Sequence, residues 1–73
     1  MKHLKKLRSM VGRGQYWLSE ETGIERSRIS LLENGRVRAN EEEIAAIRKA
    51  LESAMRENVA QFTKLSGAEV RAA

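Results

Sequence analysis

The chain has 73 residues with fourteen Lys/Arg against ten acidic residues, all of them Glu, and it has no cysteine, no proline and one histidine. A chain this short buries only about 60% of the surface its unfolded form exposes, so its core is marginal. Without cysteine, disulfides and thiolate metal sites are excluded as supports, which leaves dimerisation as the common remedy.

Charge is unevenly placed. Residues 1–40 hold nine Lys/Arg against four Glu, a net of +5, and residues 41–73 hold five against six, a net of −1. The basic excess therefore lies in the N-terminal half, an asymmetry that suits a polyanion partner. No run of 18 apolar residues occurs, and Met1 to Val11 alternates basic and apolar residues instead of forming a signal-peptide core. A soluble, cytoplasmic protein with no membrane partner is expected.

No segment alternates in the manner of a strand, so an all-α chain is expected. Leu4, Leu7 and Val11 recur at three- and four-residue spacing and predict a first helix with Lys5, Lys6 and Ser9 outside. Gly12 and Gly14 bracket its end. A second helix is predicted from Gln15 to Thr22-Gly23, with Leu18 inward and Ser19 small enough for close approach of a neighbour. A third runs from about Glu25 to Glu33 and is closed by the stop signal Asn34-Gly35. Leu18, Ile24, Ile29 and Leu32 can close on one another across the turn between them, which makes the pair a helix-turn-helix with its second helix offered to a DNA major groove.

Residues 36–40 form a basic loop. Asn40 is a good N-cap with Glu43 three residues on, a capping-box spacing, and Glu41 and Glu42 suit the positive end of a helix dipole. The acidic triplet thus reads as helix-start chemistry and not as a metal site. From Ile44 through Ile47, Leu51, Met55, Val59, Phe62 and Leu65 the apolar period is near 3.6, with no glycine until Gly67. One helix of about 25 residues is predicted, with a break near Ser53 as the alternative. Such a helix outruns the small core, and its stripe Met55, Val59, Phe62 and Leu65 calls for a partner, taken here to be a second copy of the chain. The organisation expected is a DNA-binding core over 1–52, a helical dimerisation extension over 53–67 and a flexible tail over 68–73.

With Ile29 at the centre of the buried face and about 100° per residue, Ser27, Ser30, Leu31 and Asn34 point away, with Arg26 and Arg28 on the flanks. Arginine can pair with guanine or phosphate, serine with base edges or phosphates, and Leu31 with a thymine methyl. Glu33 falls near the buried face, where an unpaired carboxylate is costly, and Arg8 lies one turn beyond Leu4, within reach of it. An Arg8–Glu33 pair tying the first helix to the third is expected.

The residues Leu4-Lys5-Lys6-Leu7-Arg8, Gln15 with Leu18-Ser19, Thr22-Gly23-Ile24, and Ile29 with Leu32-Glu33-Asn34-Gly35 resemble the lambda-repressor-like, or Xre-type, helix-turn-helix family over Leu4 to about Leu51. The resemblance implies a compact bundle of four to five helices that binds double-stranded operator DNA, usually as a homodimer on a palindrome, in this chain with an extended C-terminal helix. It implies that Gln15 contacts phosphate or the first base edge, that Arg26, Ser27, Ser30 and Leu31 face the groove, and that Asn34, Arg36 and Arg38 grip phosphate. An Arg8–Glu33 pair is also a family feature. The chain departs from the family pattern with Arg13 at a usually apolar position, Gly14 in place of a Ser or Thr cap, and Tyr16 and Trp17 at commonly polar positions. Trp17 is assigned to core filling near Arg13, and Tyr16 to phosphate contact through its hydroxyl. Glu25, at the start of the third helix, carries a charge that phosphate repels.

A transcriptional repressor is therefore the expected function. The competing reading is an interaction module or antitoxin whose helix from Ile44 to Leu65 binds a partner protein. An enzyme is not expected, because no nucleophile–base pair or metal-ligand cluster can be assembled from a chain without Asp or Cys whose one histidine is His3. No cofactor is expected either.

Overall fold

The computed structural model describes residues 1–72, with side-chain surroundings given through 67. Four helices follow one another: α1 (Leu4–Met10), α2 (Gln15–Thr22), α3 (Arg26–Glu33) and α4 (Glu41–Ala72). The tail expected over 68–73 falls outside the residues whose side chains are described. No strand occurs among the described residues, and no helix among them is long and apolar enough to cross a membrane.

The first three helices are only seven or eight residues long, so each is stable only through the face it buries. Leu4 and Val11 from α1 and its end, Leu18 from α2, Ile29 and Leu32 from α3, and Ile47, Ala50, Leu51 and Ala54 from α4 form one core. Met1, Trp17, Ile24, Val37 and Ala39 pack around it. The closure of Leu18, Ile24, Ile29 and Leu32 across the turn is therefore as the spacing predicts. Leu7 is not: it is 40% exposed. At about 100° per residue it lies about 60° from the direction of Leu4 and about 40° from that of Val11, on the rim of the core instead of inside it.

Hydrogen bonds fix the helix ends. Gly35, at φ +70°, occupies the left-handed region that a Cβ would strain. Its amide donates to the Leu32 carbonyl and that of Arg36 to the Leu31 carbonyl, the paired bonds that close a helix and turn the chain sharply. The same two bonds, from Gly12 to Ser9 and from Arg13 to Arg8, close α1. The Met1 ammonium donates to the Leu32 carbonyl at 2.8 Å, placing a cation at the negative end of α3.

α4 begins with the predicted capping box: the Glu43 amide donates to Asn40 Oδ1 at 2.8 Å, and the Asn40 amide donates to Glu43 Oε1 at 3.0 Å. The helix is 32 residues long, against the roughly 25 expected from its apolar period. Ser53 lies inside it without a break, and Gly67 costs about 1 kcal/mol against alanine without ending it. Its first half lies on the body, and Asn58 Nδ2 donates to the Val11 carbonyl at 3.0 Å as the last tie to α1. Beyond Asn58 the helix projects, giving overall extents of 51 × 18 × 18 Å.

Candidate nucleic-acid interface

α3 is held from behind and from both ends. Ile29 and Leu32 are fully buried, which fixes its roll. The turn before it is pinned by small polar side chains. Ser19 Oγ donates to the Ile24 carbonyl at 2.6 Å, Thr22 Oγ1 donates to the Leu18 carbonyl at 2.7 Å, and the Ile24 amide donates back to Thr22 Oγ1 at 3.2 Å. Gly23, at φ +74°, takes the left-handed conformation that ends α2 and redirects the chain into α3. The turn angle thus rests on a hydroxyl at each of two positions and on one glycine.

With the roll fixed, Arg26, Ser27, Leu31 and Asn34 stand exposed on the outer side of α3, and Ser30 is half-buried at its edge. Tyr16, exposed on the first turn of α2, lies beneath the Arg26 guanidinium at 6.0 Å from the ring centroid. This cation–π contact joins the starts of α2 and α3 into one surface. Arg36 and Arg38 are exposed on the following loop. Gly14 and Glu25 precede α2 and α3 without a side-chain capping bond. The first amides of both helices therefore lack a side-chain acceptor at the positive end of their dipoles, where phosphate is favoured. Glu25 is exposed beside the second of these ends and opposes an anion there.

Two of the expected contact residues are engaged internally. Gln15 Nε2 donates to Glu33 Oε1 at 2.7 Å, so its amide serves the interior of the helix pair. Arg28 forms a bidentate pair with Glu43, Nε to Oε2 at 2.5 Å and Nη2 to Oε1 at 2.9 Å, and Nη2 also lies 3.4 Å from the Arg38 carbonyl. Arg28 therefore links α3 to the start of α4, a role that helical periodicity does not reveal. The Arg28 bonds, with those of the Asn40 backbone, hold the Glu43 carboxyl down at about 2.

The expected Arg8–Glu33 pair forms, Nε to Oε2 at 2.5 Å and Nη2 to Oε1 at 3.1 Å. Its side chains are 12% and 5% exposed. Burial pushes the Glu33 carboxyl up, but the bonds from Arg8 and Gln15 and the charges of Arg8 and Lys5 outweigh it, and the net displacement is downward. Arg8 Nη1 also donates to the Arg13 carbonyl at 3.0 Å. Arg13, at its unusual position, stacks over the Trp17 ring at 5.6 Å and pairs with Glu57 at 3.1 Å. A cation thereby covers the outer face of the tryptophan.

A second surface lies away from α3. Leu7, Met10, Val11, Leu51, Glu52 and Met55 line an open groove of about 200 Å³ between α1 and α4. Met55, Val59, Phe62 and Leu65 are all exposed along α4, Phe62 at 71%. Sequence reasoning found the α4 stripe but missed its continuation onto α1. The signal was the Leu7–Met10 pair, three residues apart and rotated off the direction of Leu4. No family model, curated protein or solved structure matches this chain.

Proposed function

We propose that this chain is a sequence-specific regulator of transcription, a small repressor that lays α3 in the major groove of double-stranded DNA. The observation that carries the reading is the outer side of α3 and its following loop. Arg26, Ser27, Leu31, Asn34, Arg36 and Arg38 are exposed there, while Ile29 and Leu32 hold the helix rigidly from within. Among the described residues, no ion pair occupies Arg26, Arg36 or Arg38.

In this reading Arg26, Ser27 and Leu31 meet base edges, with Ser30 at the margin. Asn34, Arg36, Arg38 and the Tyr16 hydroxyl take phosphate oxygens, which set register and orientation without carrying sequence information. Gln15 and Arg28 leave this set, because their donors already serve Glu33 and Glu43. The protein acts as a homodimer through Met55, Val59, Phe62 and Leu65. A dimer on a palindrome doubles the phosphate contacts available to a single short helix and its loop. The same apolar stripe favours one other reading, an antitoxin-like module whose α4 binds a foreign protein.

Selection from a random duplex library at two salt concentrations tests the proposal. A palindromic motif with half-sites about one helical turn apart is the expected result. Enrichment without a motif that vanishes as salt rises would reduce the surface to a basic patch. The foreign partner of α4 would then become the leading reading.

A further inference from the structure

We infer that Glu43 lowers the sequence-independent part of DNA affinity by withholding Arg28 from the phosphate backbone, an inference that rests on the DNA-binding reading above. Arg28 sits on the flank of α3, next in sequence to Ser27 and one turn from Leu31, with its side chain 40% exposed. An arginine so placed would ordinarily reach for a phosphate, the strongest anion near a groove. Here two of its nitrogens are taken by the Glu43 carboxylate in a fork-to-fork pair.

Glu43 is not free to swing aside. Its amide and its Oε1 both belong to the capping box with Asn40, so its carboxylate is fixed at the first turn of α4. Glu41 and Glu42 lie on the same turn and add to the negative field there. A phosphate that captured Arg28 would have to break two charge-assisted bonds and leave Glu43 facing DNA unpaired. Phosphate contacts strengthen binding to every sequence alike, whereas Arg26, Ser27 and Leu31 can tell sequences apart. Sequestering one cation therefore lowers affinity for every sequence by a common factor and leaves the discriminating contacts intact.

The test compares the full-length wild type with Glu43→Gln, Arg28→Met and the double variant. Each is titrated with random-sequence duplex and with the selected operator across a salt series. Glutamine retains capping-box geometry, and the melting temperature of each variant checks that the fold is kept. Glu43→Gln is expected to bind random duplex about fivefold more tightly at moderate salt, with a log–log salt slope steeper by about 0.9, one further phosphate contact. Operator affinity should rise by the same factor, leaving the ratio of specific to non-specific affinity unchanged. Arg28→Met alone should leave the wild-type slope unchanged, and the double variant should return to it.

An unchanged or shallower slope in Glu43→Gln would overturn the inference and make the pair purely a structural tie. A slope made shallower by Arg28→Met alone would overturn it differently, by showing that wild-type Arg28 already contacts phosphate. Failure of the wild type to bind any duplex would defeat the DNA-binding reading, and this inference with it. That result is distinct from the other two because no variant is needed to see it.

Discussion

Glu33 accepts hydrogen bonds from Arg8 and Gln15 at the junction of α1, α2 and α3, and only 5% of its side chain reaches solvent. Removing one partner of such a pair leaves the other charge buried without compensation, which costs more than the pair contributes. Glu33→Gln should therefore destabilise the protein by about 3 kcal/mol. A domain of this size has a total stability of only about 4–11 kcal/mol, so the variant should approach unfolding at physiological temperature. Urea denaturation followed by the fluorescence of Trp17, the one tryptophan in the chain, measures it. Replacing both partners by apolar residues, Arg8→Met with Glu33→Leu, should recover most of the loss. A single variant as stable as the wild type would mean that the pair is solvated and carries little. Arg8 and Glu33 were legible as partners because each falls on a buried face of its own helix. The Gln15–Glu33 and Arg28–Glu43 contacts were not, since they depend on how helices cross, and helical periodicity in one segment carries no record of its neighbour.

Among the elements, α4 has the most explicit start signal, and that start is also where pH acts. Glu43 has its carboxyl held down at about 2 against an ordinary value of 4.5. A folded-state value below the unfolded one means that its contribution is fully present above pH 4.5 and is lost as pH falls towards 2. The Arg28 tie between α3 and α4 should thus fail in this window, ahead of any change in the apolar core. Melting temperatures of wild type and Glu43→Gln should differ at pH 6 and converge as pH approaches 2. A gap of constant size across that range would assign the effect of the substitution to something other than the carboxylate charge. The helix boundaries were legible because they rest on local chemistry: Asn40 with Glu43, Gly23 after Thr22, and Gly35 after Asn34. The length of α4 was less so, because its apolar period ends at Leu65 while nothing in the residues beyond forces the helix to stop there.

At the scale of the molecule, the basic surface and the apolar stripe occupy different parts of an elongated body. Arg26, Arg36 and Arg38 lie around α3, whereas Leu7, Met10, Met55, Val59, Phe62 and Leu65 lie along the α1–α4 side and the projecting end of α4. These six exposed side chains amount to about 600 Å² of apolar surface, at the upper limit for a typical monomer. With a polar rim added, the patch approaches the roughly 800 Å² that each partner contributes to a standard interface. A second copy can meet it without strong repulsion, because the half of the chain that contains α4 carries a net charge of only −1. In the proposed dimer, two such helices crossing in opposite directions would bring Phe62 of one copy towards the groove lined by Leu7, Leu51 and Met55 of the other, with two-fold symmetry repeating the contact. Phe62→Glu places a carboxylate where that contact forms and should yield monomers by sedimentation. Phe62 is outside the core, so helical content should be unchanged, while the melting temperature should lose its dependence on protein concentration. If the proposed DNA-binding reading holds, operator affinity should fall far more than affinity for an isolated half-site, since the substitution leaves the α3 surface untouched. A variant that remains dimeric would remove α4 from the interface and leave the stripe free for a foreign protein.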